Sequence, residues 1–187
     1  MPSADRLTAV TFGLLLAFVS AGCGTTPHEP GSRPTLRPSV REACTASSLT
    51  VTGTWQGATG SMLGDIAFTN TGTRRCALPG YLGLELVNQR SQVLAVQVQR
   101  GQAGSAALPT GAVAKAVVLA PGKPNSASET LQWSNWCGAT PDNLALDVVL
   151  PDHEKVAATP VRQPWGVPRC DDSAAPSVIV EGPVLLS

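Results

Sequence analysis

The sequence predicts an all-β fold, an antiparallel sandwich of about eight short strands stapled by two disulfides. Three observations carry that prediction. Apolar and polar residues alternate over successive short stretches, and no stretch after Cys23 repeats with the 3.6-residue period of a helix. Four further cysteines, Cys44, Cys76, Cys137 and Cys170, are spread through the part of the chain that follows an export signal.

Taken in order, Leu49, Val51, Gly53 and Trp55 share one face while Thr50, Thr52 and Thr54 share the other, the mark of a half-buried strand. A turn at Gly57-Ala58-Thr59-Gly60 leads into a strand over 62–69 with Ile66 and Phe68 inward, ended by Asn70-Thr71-Gly72. Leu82, Leu84 and Leu86 alternate with Gly83, Glu85 and Val87. A turn at 88–91 then feeds a second alternating run over 93–99, so the two are expected to form a hairpin. A Gly/Ala/Pro loop over 101–111 precedes a strand at 113–119. Pro121-Gly122 suits a type II turn, glycine taking the positive φ. Strands over 127–133 and 144–150 follow. Residues 152–168 read as irregular with a short strand near Val156, and the last strand begins at Val178, limited by Pro183 to an edge or an end.

The export signal sits at the amino terminus. An apolar run over 10–19 is too short to span a bilayer, which takes about 20 residues, but suits a secretory signal. It closes on Val19-Ser20-Ala21-Gly22-Cys23, which resembles a lipobox, with Ser20 where leucine is usual. The expected outcome is cleavage before Cys23 and acylation of its thiol, whereas an ordinary cut near Ala21 would leave Cys23 as an odd free thiol. The organisation is then a signal peptide at 1–22, a lipidated cysteine and proline-rich tether at 23–43, and a β domain at 44–187. Pro27, Pro30, Pro34 and Pro38 keep the tether extended, at about 3.1 Å per residue and roughly 60 Å in all. The predicted location is the extracytoplasmic face of the cell membrane.

Composition narrows the partners. Thirteen basic residues balance thirteen acidic ones, so no long-range field recruits nucleic acid. The expected partners are the membrane, through the lipid, and an envelope protein or glycan; no cofactor is expected. No two of the four domain cysteines are close neighbours, which favours disulfides over a zinc site. Counting strand reversals puts all four at one end of the sandwich and leaves three pairings open. Parallel first and last strands would favour Cys44 with Cys170 and Cys76 with Cys137.

Several landmarks together resemble a known family. Phe68-Thr69-Asn70-Thr71-Gly72, Cys76-Ala77-Leu78-Pro79-Gly80-Tyr81, Leu119-Ala120-Pro121-Gly122, Trp133-Ser134-Asn135-Trp136-Cys137-Gly138, and Cys170 before Val178 are similar to an uncharacterised secreted-lipoprotein domain common in actinobacteria. The likeness runs from Cys44 to about Pro183, with Ala77, Leu82 and Lys123 standing where that family usually has threonine, proline and glycine. It implies an immunoglobulin-like sandwich and an extracytoplasmic location, and it transfers no catalytic residue.

The residues that could do chemistry are few. His153, in Pro151-Asp152-His153-Glu154-Lys155, is the single histidine of the domain and reads as a solvated turn residue. Gly60-Ser61-Met62-Leu63-Gly64 misplaces the serine of a nucleophile elbow by one position. Asp171 and Asp172 point to opposite sides of an extended chain. Trp133, Trp136, Trp165 and Tyr81 lie close to cysteines in sequence and are expected to gather at the disulfide end, as packing or as an aromatic platform for a sugar ring or peptide. The function expected is non-catalytic binding or interaction. The alternative is an envelope carbohydrate-binding protein or hydrolase built on Trp136, Trp165, His153 and Asp171.

Overall fold

The computed structural model describes residues 42–103 and 113–187. Cys23, the tether up to residue 41 and most of the predicted 101–111 loop lie outside the described residues. Eleven strands appear among those described: β1 Leu49–Ala58, β2 Ser61–Asn70, β3 Cys76–Leu78, β4 Gly83–Val87, β5 Gln97–Arg100, β6 Val117–Leu119, β7 Ala127–Ser134, β8 Ala145–Val149, β9 Lys155–Pro160, β10 Val178–Glu181 and β11 Leu185–Leu186. The fold is all-β with two disulfides, as the alternation and the cysteines predicted.

The immunoglobulin-like sandwich requires correction. Instead of two facing sheets, one mixed sheet curls round in the order β4-β8-β9-β1-β2-β7-β10-β5, nearly closing into a barrel, with β11 beside β7. Two parallel pairings, β1 with β9 and β5 with β10, break the antiparallel pattern that a sandwich of hairpins would keep. A two-stranded ladder of β3 and β6 stands apart, and its Leu78 and Leu119 are buried in the same core as the barrel.

The predicted hairpin of 82–87 with 93–99 also fails beyond its turn. Val87 faces Val93, and the Leu94 N–H donates to the Leu86 carbonyl. A tight turn, with the Val96 N–H on the Leu94 carbonyl, then diverts the chain, and Gln97–Arg100 pairs with β10 while β4 pairs with β8. Alternation marks an extended segment; it does not name the neighbour.

Strand directions locate the cysteines. We call the end where β1 begins the base and the end of the β1–β2 turn the top. Cys44 and Cys76 flank the base, while Cys137 follows β7 at the top, because β7 runs antiparallel to β2. All four therefore do not share one end. Counting 113–119 as a strand of the main sheet added one reversal too many, since β6 belongs to the small ladder.

The bridges are Cys44–Cys76 and Cys137–Cys170, not the pairing favoured from sequence. β1 and β10 run in opposite directions and are separated by β2 and β7, so their flanks never meet. Instead Ala43 lies parallel to Ala77, with the Cys44 N–H on the Ala77 carbonyl at 3.0 Å, which sets the two sulfurs side by side. At the top, Asn135 adopts a left-handed φ of 60°. Its Oδ1 accepts from the N–H groups of Asp171 and Asp172, and its Nδ2 donates to the carbonyls of Asp172 and Ala175, drawing Cys137 to Cys170. Loops of 32 and 33 residues imply about 4 kcal/mol per bridge in the chain-entropy model.

Candidate functional site

The family-like motifs meet in pairs, and what they build is architecture. The Asn70 side chain, fully buried, donates to the Arg74 and Leu119 carbonyls and accepts from the Gly72 N–H, while the Gly122 N–H donates to the Asn70 carbonyl. The first motif is thus locked onto the turn at Pro121-Gly122, where Gly122 takes the positive φ expected of it, 71°. Asn135 locks the tryptophan motif onto the Cys170 loop in the same way. A buried amide left without partners costs about 1–3 kcal/mol, so such residues hold corners strongly without performing chemistry.

Tryptophans fill the top of the barrel interior. Trp55, inward on β1, stands 5.6 Å from Trp165 and 6.2 Å from Trp133, and Trp133 stands 5.7 Å from Trp136. Gly53 and Gly64 make the room, since a Cβ at Gly53 would collide with Trp165 and one at Gly64 with Trp55. Trp55, Trp133 and Trp136 donate their indole N–H groups to the Gly166 carbonyl, Ser177 Oγ and the Ala139 carbonyl. Three of the four predicted aromatic residues are brought together here. Trp133 and Trp165 are buried and Trp136 is half-buried, so the row is packed into the core. Trp55, its centre, had been placed on the inward face by alternation but not assigned to the group.

Tyr81 is at the other end, below a different interior. Glu129 on β7 and Glu181 on β10 are 1% and 2% exposed. Neither Glu129 oxygen has a hydrogen-bond partner among the described residues, and the same holds for Glu181 Oε2. Burial, aided by the charge of Glu181, pushes the Glu129 carboxyl well above its ordinary value. Burial also raises Glu181, against the pull of Arg100, whose Nε donates to Glu181 Oε1 at 3.2 Å. The Arg100 guanidinium lies over the Tyr81 ring, 5.2 Å from its centroid. The sequence held a signal for this pair's first member: Ala127, Glu129, Leu131 and Trp133 share the buried face of one alternating strand.

Beside Arg100 the sheet fails to close. β4 and β5 are its two ends, laced at Val87–Val93 and parted toward the base. A cleft of about 340 Å³ occupies the parting, lined chiefly by Tyr81, Leu82, Gly83, Arg100, Pro151 and His153. A second hollow of about 370 Å³ lies over the outward Thr54, Gln56 and Asp65, beside Arg162.

His153, exposed and at φ 68°, reaches this cleft at the base, whereas Asp171 pairs with Arg169 at the top beside Gly60. The histidine and the aspartate of the alternative reading thus stand at opposite ends. Among the described residues the His153 ring bonds neither a serine nor a carboxylate, and no cluster of three metal-ligating side chains occurs.

No curated protein and no solved structure matches the chain. The model of one family, Domain of unknown function (DUF4232), matches residues 44–179, from the first cysteine of the base bridge into β10. On that match, covering well over half its length, the chain belongs to the DUF4232 family.

Proposed function

We propose that the protein is an extracytoplasmic lipoprotein, held at the cell membrane by acyl chains on Cys23, whose disulfide-stapled domain binds a partner and has no catalytic role. The partner is an envelope protein or glycan, not nucleic acid. The observation that carries the binding reading is the parted seam between β4 and β5, where a strand edge and a cleft are left uncovered by any described residue. Two bridges support the oxidising compartment. The lipobox-like Val19-Ser20-Ala21-Gly22-Cys23 and the balanced charge support the rest.

Two experiments test this reading. Cys23→Ala should move the protein from the membrane to the soluble fraction; persistence in the membrane defeats the anchor. Cross-linking on intact cells should capture one defined partner with the wild-type chain, and an absence of any saturable capture defeats the binding role.

A further inference from the structure

Register and exposure disagree along β5. Val98 pairs with Ile179 and Arg100 with Glu181, and both partners point into the barrel and are buried. Val98 and Arg100 therefore belong to the interior face. Yet Val98 is 39% exposed and the Arg100 side chain 68%, because no described strand lies on their other side. The backbone repeats the message. The N–H groups of Gln97 and Gly101 donate to the Ser177 and Glu181 carbonyls, so odd-numbered residues face β10 and the N–H and C=O groups of Val98 and Arg100 face outward, into the seam.

A row of unpaired main-chain groups recognises one thing well, another extended chain. The side chains beside it specify more. Val98 offers an apolar surface and, two residues on, Arg100 offers a guanidinium already fixed by Glu181 and Tyr81, with its remaining N–H groups free of those partners. His153, Tyr81 and Pro151 line the cleft that would receive the opposing side chain.

We propose that the open seam of this barrel binds an extended peptide segment as an added strand on β5, with an acidic side chain of that segment taken by Arg100 and an apolar one two residues away set against Val98. This rests on the binding-domain reading and names its partner as a polypeptide. A second copy of the chain is the competing occupant.

The test uses the purified exported protein, immobilised, and a library of random octapeptides acetylated and amidated at their ends. Wild type should retain peptides enriched in Asp or Glu two positions from an apolar residue, and bound peptide should slow amide exchange at Val98 and Arg100 while leaving Gln97 and Gln99 unchanged. Val98→Pro removes an outward N–H and the valine side chain while sparing the ladder to β10, and should abolish retention with the thermal midpoint kept; Gln99→Pro, which breaks that ladder, should lower the midpoint. Arg100→Gln should weaken retention about tenfold and erase the acidic preference. Retention of nothing by wild type, retention indifferent to Val98→Pro, or enrichment without carboxylates would each overturn the proposal. So would sedimentation as a dimer that Val98→Pro dissociates, which assigns the edge to a second copy. If the library fails while intact-cell cross-linking still captures a partner, this proposal alone falls; if both fail, the binding-domain reading falls with it.

Discussion

The two halves of the barrel interior are built on opposite terms. At the top, four indoles fill the space; Trp55, Trp133 and Trp136 find acceptors for their N–H groups, and the Trp165 N–H alone of the four has none among the described residues. Toward the base, two carboxyls are buried, one of them on Arg100, and three of their four oxygens lack partners among the described residues. The sheet is continuous beside the first half and parted beside the second. Packing that is complete supplies stability; a buried charge that is incompletely paired costs stability and persists where a chain uses it.

The sharpest break of this contrast is Trp133→Ala. Trp133 is fully buried and touches both Trp55 and Trp136, so its truncation should cost about 3–5 kcal/mol in urea unfolding with the disulfides intact. The carboxyl half predicts a gain. Because the folded Glu129 holds its proton above the ordinary value of 4.5, the unfolded chain releases that proton first as pH rises, and stability falls until the folded carboxyl also ionises. Glu181 and Asp147 are shifted the same way, chiefly by burial, and add to the slope. Glu129→Met should therefore raise stability by about 1–3 kcal/mol at pH 7 and give less advantage at pH 4, with a flatter pH profile between. A profile unchanged by the substitution would show that the slope arises elsewhere. The smallest effect belongs to Tyr81→Leu at the half-buried rim, which should shift stability by less than about 1 kcal/mol. A loss comparable to that at Trp133 would erase the distinction between the halves.

Much of this arrangement was legible before the fold was known. β1, β2, β7 and β8 each show period two over five or more residues, and in β1 and β2 the buried faces are those the alternation marked. β3, at three residues, is too short to show a period. Which strand lies beside which was not legible, because register and neighbours depend on contacts far apart in sequence; a single tight turn at Leu94–Val96 undid the expected hairpin. The cysteine pairing failed for the same reason, one strand assigned to the wrong sheet reversing the count. The carboxyl half carries a fainter mark, a single Glu129 on the apolar face of an alternating strand, because a lone acidic residue in mid-strand does not by itself show whether its face is buried.

The base bridge carries one further consequence. Any pull arriving along the residues before Cys44 reaches a covalent fork: the load divides between β1 and, through the sulfurs, β3. Unzipping of β1 from its first residue would require the force to bypass that link. With that bond reduced, β1 alone would carry a load arriving from the amino-terminal side.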